Sequence, residues 1–242
     1  MKLYCLLKRD VYLLTQQWKR LLLYFCSIFL IDVFMLQYHQ YIMFIRGFTG
    51  ISLQEFLDDK SKIPIQWIWA QIGIALIYMD IVKNDIYQIS DCLLPHVKKK
   101  AYFWYSKVMA GFIFSIVLSI AFFIEKTMLF LFIPNIKMAS GLSVISIMKT
   151  VCMQCLGMYA LYCVYILVDF IFNEMAGMIV CIFYVVIGLP VDIKIFYCNI
   201  FMYQRGGIAV SVLACSIVVL ITMFSGGYMI NKSDLLKGSV WG

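Results

Sequence analysis

Apolar residues run almost unbroken through six stretches of the chain, near 21–45, 63–82, 108–124, 150–169, 175–190 and 208–230. A lipid hydrocarbon core of roughly 30 Å takes about 20 apolar residues of helix, so the pattern predicts six membrane-crossing helices and leaves little chain for a soluble domain. The runs are continuous and not built of short alternating segments, which selects helices over a closed barrel. The expected fold is all-α and integral to a membrane, with residues 1–242 forming one domain.

The segments between the runs carry patterns of their own. In the leader, 1–20, Leu3, Leu7, Val11, Leu14 and Trp18 recur at intervals of three or four and continue to Leu21, while Arg9, Gln16, Gln17, Lys19 and Arg20 take other faces. That spacing predicts an amphipathic helix lying in the membrane interface, with Trp18 at headgroup depth; the alternative is a plain extension of the first span. Between the second and third runs, Ile86, Ile89 and Leu93 are also spaced by three and four. They predict a short amphipathic helix over 84–94, stopped by Pro95, which disfavours helical geometry at Leu94. Tyr102, Phe103, Trp104 and Tyr105 then suit re-entry through an interface, with Lys107 closing the boundary. Residues 46–62 read as a polar loop and 125–149 as a mixed segment. The stretch 191–207 stays apolar through Ile195, Phe196, Ile200 and Phe201 and is bounded by Pro190 and Gly206-Gly207. It predicts a helical element dipping back into the membrane, or else a kinked continuation of the fifth run.

Composition supports the membrane reading. Hydrophobic residues make up 64% of the chain and charged residues 14%, and the mean hydropathy is +0.91, far from the roughly 45–50% apolar and 25% charged of soluble domains. The first run has no small-residue cleavage site after it, since Ile28, Phe29 and Leu30 continue it, so it reads as a retained helix. Lys and Arg bias sets orientation. The leader, the 83–107 segment with Lys98-Lys99-Lys100, and the tail with Lys232 and Lys237 together hold 12 of the 20 basic residues. That places both termini in the cytoplasm and the protein in the cytoplasmic membrane. Attraction to anionic lipid accounts for the net charge of +7 without a nucleic-acid partner. Of nine cysteines, six fall within runs, two in cytoplasmic segments, and only Cys198 outside, so no disulfide framework is expected. Cys152-x-x-Cys155 has metal or redox spacing but no nearby His, and reads as packing.

No catalytic set is legible. The chain has no Gly-x-x-x-x-Gly-Lys-[Ser/Thr] cradle for ATP and no Gly-x-Ser-x-Gly, and His39 and His96 are expected on opposite sides of the membrane. Asp58-Asp59 has no acidic counterpart to complete a metal site. Ionisable residues within spans are costly and therefore candidates for function. Asp32 sits about halfway along the first run and Gln71 near the middle of the second, where they could line a substrate path or make a subunit contact; Asp32 could also be a buried acid held neutral or capped by a neighbouring Tyr. Asp80, Asp169 and Glu174 fall near cytoplasmic ends, within reach of the interface. Gly111, Ser115 and Ser119 form a small-residue stripe suited to helix packing.

Taken together, the leader, six runs, the 84–94 helix and the 191–207 element resemble a permease of the type-2 ABC exporter family. The wording Asp85-Ile-Tyr-Gln-Ile-Ser-Asp-Cys-Leu-Leu-Pro95, followed by Lys98-Lys99-Lys100 and Trp104 to Lys107, is similar to that family's cytoplasmic connection into the third span. The architecture covers the whole chain; the local likeness covers about 80–110. The resemblance implies that 84–94 is a coupling helix, with Asp85, Ile86, Ile89, Leu93 and Leu94 seated on a separate ABC ATPase. It implies a second permease subunit, identical or not, and ATP with Mg bound only by the ATPase. The expected cargo is an amphipathic or lipophilic molecule, an antimicrobial peptide such as a lantibiotic foremost. Against this stand a non-transporting immunity or assembly protein and, further off, a membrane-embedded enzyme.

Overall fold

In a computed structural model of the chain, residues 3–39, 65–85, 97, 99–132, 144–188 and 207–232 are described. Those residues are helical, with seven elements: α1 Leu3–Thr15, α2 Trp18–His39, α3 Ile65–Asn84, α4 Lys100–Phe132, α5 Val144–Ile171, α6 Glu174–Gly188 and α7 Ile208–Lys232. Three of them, α4, α5 and α7, are long and apolar enough to cross a membrane. The all-helical fold and the membrane-protein class expected from the sequence are therefore present at this level. The 84–94 helix, apart from Asn84 and Asp85, and the 191–207 element, apart from Gly207, lie outside the described residues, as do Ile86, Ile89, Leu93 and Leu94.

The bundle is built around α5, which packs against α3, α4, α6 and α7; α7 also packs on α4, α3 on α6, and α2 on α3. Its polarity is inverted relative to a soluble protein. On α4, Met109, Phe112, Ile113, Ile116, Val117, Ile120 and Ile124 face outward, while Ser106, Lys107, Ser115, Ser119 and Lys126 are buried. Lipid solvates the first set at no cost, whereas every polar group needs an internal partner. The buried positions 111, 114, 115, 118, 119 and 122 follow the helical period.

Several boundaries move from the sequence expectation. The third run, expected at 108–124, belongs to a 33-residue helix about 50 Å long at 1.5 Å per residue. Within it Phe103 and Trp104 are fully buried in the bundle, while Tyr102 and Tyr105 are half-buried. Lys107 likewise points into the bundle, because it lies on the same face as Phe103 and Gly111. Glu125 and Lys126, assigned to a connecting segment, are helical residues within the protein. The leader helix ends at Thr15, where Thr15 Oγ1 donates to the Tyr12 carbonyl (2.7 Å), and α2 begins three residues on. The inward face of α1 is Leu6, Asp10 and Leu14, packed against α4. Asp169, expected near the interface, is fully buried. Between α5 and α6 the chain turns tightly, and Asn173 caps α6 by accepting from the Ala176 N–H at 2.8 Å.

Close helix contact rests on glycine. A Cβ at Gly111 would overlap the Tyr162 ring, and one at Gly226 would overlap the Trp104 indole. Trp104 Nε1 then donates to the Thr222 carbonyl at 2.8 Å, pinning α4 to α7.

Candidate functional site

Two buried charge clusters sit at opposite ends of α4. At one end, Lys107 Nζ donates to Asp85 and, at 3.3 Å, to Asp10. Arg9 donates to Asp10 at 2.7 Å and to Asp85 at 2.5 Å, and Ser106 Oγ donates to Asp10 at 2.6 Å. Phe103 lies beneath both cations, its ring centre 4.7 Å from Lys107 Nζ and 5.5 Å from the Arg9 guanidinium carbon. Cations over a ring face gain from its quadrupole, and the two positive and two negative charges balance. The cluster therefore fastens three elements: the leader helix through Arg9 and Asp10, the end of α3 through Asp85, and the start of α4 through Ser106 and Lys107. Asp85 Oδ1 and Arg9 Nη1 have no partner among the described residues, at the point where the chain leaves α3 for 86–96.

At the other end of α4, Lys126 Nζ donates to Asp32, and Gln66 Nε2 donates to the other Asp32 oxygen. Glu125 lies 3.9 Å from Lys126, so two carboxylates share one ammonium. This cluster joins α2, α3 and α4. Asp32, a candidate for a substrate path or subunit contact, is placed in an ion pair within its own subunit. Lys107 and Lys126 are nineteen residues apart on α4, about 28 Å along its axis. That is close to the roughly 30 Å hydrocarbon thickness of a bilayer, so the charges bracket the apolar layer.

Between the clusters the buried polar groups are neutral. Gln71 Nε2 donates to Gln154 Oε1 at 3.0 Å, joining α3 to α5. Ser115 and Ser119 each donate to the carbonyl one turn back at 2.8 Å, and Ser119 also reaches the Met158 sulfur. The stripe of Gly111, Ser115 and Ser119 thus faces Tyr162 and Met158 on α5. Tyr162 OH donates to the Lys107 carbonyl at 3.1 Å. Asp32 and Gln71, grouped together from the sequence, belong to separate networks.

The sequence reading missed Asp10, Gln66, Lys126 and Gln154. The available signal was complementarity: an acid inside an apolar run calls for a cation at matching depth on another run, and Lys126 is two residues beyond the expected end of the third. Among the described residues no three His, Cys, Asp or Glu side chains gather as a metal site, and Cys152 and Cys155 are free thiols. No protein-family model, curated protein or solved structure matches the chain.

Proposed function

We propose that the chain is the permease subunit of an ATP-driven exporter of the type-2 ABC kind. In this reading it has six spans in the cytoplasmic membrane, both termini in the cytoplasm, and an amphipathic cargo such as an antimicrobial peptide. A separate ATPase binds ATP and Mg and docks on the 84–94 coupling helix through Ile86, Ile89, Leu93 and Leu94; Asp85, expected beside them, is buried against Arg9 and Lys107 and so is not a contact residue in this reading. A second permease subunit completes the path, and 191–207 is a re-entrant element.

The observation that supports this reading is the Lys107 cluster. Both ends of the connection between α3 and α4 are tied there, at Asp85 and at Lys107, and both are tied to Arg9 and Asp10 of the leader helix. A push on 86–96 from outside the membrane would reach α1, α3 and α4 together, since a buried ion cluster resists being pulled apart: breaking such a pair costs about 3–5 kcal/mol.

The test is replacement of Ile89 or Leu93 by Asp in the tagged chain co-expressed with its ATPase. The ATPase should be lost from the purified complex and export should fall to background, while membrane level and helical content are unchanged. Unaltered ATPase binding and export in both variants would remove the reading. Resistance to a peptide with no bound ATPase would favour the immunity-protein alternative instead.

A further inference from the structure

The charged groups that hold α1 to the bundle each keep a partner on their own side of the contact. On α1, Arg9 and Asp10 pair with each other, Nη2 and Nε lying 2.7 and 3.2 Å from Asp10 Oδ1. On the bundle, Lys107 pairs with Asp85 and sits over the Phe103 ring. Ser106 Oγ lies 2.6 Å from Asp10 and 2.9 Å from the Phe103 carbonyl, so its proton has an acceptor with or without α1. Among the described residues, the polar contacts that cross are Arg9 to Asp85, Lys107 to Asp10 and Ser106 to Asp10, with Arg9 also over Phe103. Each half carries one positive and one negative charge. Parting them therefore strands no ion, unlike the removal of one member of a buried pair. The docked arrangement is also incomplete, since Arg9 Nη1 and Asp85 Oδ1 are buried and unmet among the described residues.

Apolar packing does not bind α1 to the bundle alone. Leu6 and Leu14 are buried there, and Leu3, Leu7 and Val11 are half-buried. A lipid surface offers the same face a second apolar solvent, because an amphipathic helix buries it at the boundary of headgroups and acyl chains. Lipid also removes the hydrophobic drive for one helix to pack on another. A hinge is present: α1 ends at Thr15 and α2 starts at Trp18, with Gln16 and Gln17 in a turn between them. We propose that α1 is a releasable strap whose apolar face exchanges between the bundle and an anionic lipid leaflet. Docked, it clasps the end of α3 to the start of α4 through Arg9 and Asp10. Released, it lies on the leaflet, and the pair of Asp85 and Lys107 alone joins α3 to α4. Leaflet charge sets the balance, since residues 1–15 hold three basic residues, Lys2, Lys8 and Arg9, against the single acid Asp10. The inference rests on the membrane setting and is independent of the transport reading.

Distance measurement on the full chain in lipid nanodiscs tests it. Tyr12 on α1 and Met109 on α4, both outward-facing, are replaced by p-acetylphenylalanine carrying a nitroxide, and double electron–electron resonance reads their separation. In zwitterionic lipid the docked separation should dominate. With half of the lipid anionic, a displaced population should grow at least about fivefold, the effect of roughly one basic residue at an anionic surface. It should grow further in the double variant Arg9→Gln with Asp10→Asn, which removes the crossing ion contacts and leaves Asp85 paired with Lys107. The unfolding temperature of that double variant should stay close to the native one. Lys107→Gln, which leaves Asp10 and Asp85 to share Arg9, should lower it clearly. A single docked separation in every sample, or a displaced population indifferent to lipid charge, would overturn the strap. So would a double variant that unfolds as early as Lys107→Gln, because the two halves would then not be separable.

Discussion

Lys126 is a single cation held between Asp32 and Glu125 with almost no exposure to solvent. Removing one member of a buried pair strands the other charge in a low-dielectric setting, at a cost of about 3–5 kcal/mol, whereas replacing both by apolar residues is often tolerated. Lys126→Met should therefore destabilise the protein strongly, and Lys126→Met combined with Asp32→Leu should recover most of the loss, as read by thermal unfolding in detergent. Equal destabilisation in the single and double variants would mean that the pair does not carry the contact. Asp32 was legible as an anomaly because an acid interrupts an apolar run. Its partner was not, since Glu125-Lys126 follows Ile124 and looks like the polar end of a span. Only continuation of the helix to Phe132 brings Lys126 inside. Lys107 was hidden in the same way, as a boundary cation that in fact turns inward.

At the scale of elements, the α4–α7 contact depends on the absence of a side chain. A methyl group at Gly226 would occupy the space of the buried Trp104 indole, while one at Gly227 would meet only the edge of Tyr105 at 3.2 Å. Overpacking a filled contact costs about 1–3 kcal/mol. Gly226→Ala should lower the unfolding temperature clearly and Gly227→Ala little; the reverse order would refute the packing described. The Gly111, Ser115 and Ser119 stripe was visible from its four-residue spacing. The direction of Phe103 and Trp104 was not, because aromatic residues serve both interfaces and buried contacts, and only the helical period relative to Gly111 separates the two uses. The leader helix was legible as amphipathic, but its inward Asp10 is meaningless until Arg9, Ser106 and Lys107 are seen around it.

For the molecule as a whole, two charge clusters about 28 Å apart on one helix, outward apolar faces and an interior of neutral hydrogen-bonded groups describe a bundle solvated by lipid. Hydropathy alone reached that class, since continuous apolar runs allow little else. The six spans read from the sequence extend beyond the three helices that, among the described residues, meet the length and composition of a membrane crossing. The transport account places the power source in another chain, engaged through the connection between Asp85 and Lys107. Affinity purification of the tagged chain from its native membrane, with mass spectrometry and an ATP-hydrolysis assay on the eluate, tests that most directly. The account predicts a co-purifying ATPase with a Walker motif, in near-stoichiometric amount and active. Recovery of the chain in good yield, folded and without any ATPase, would contradict it.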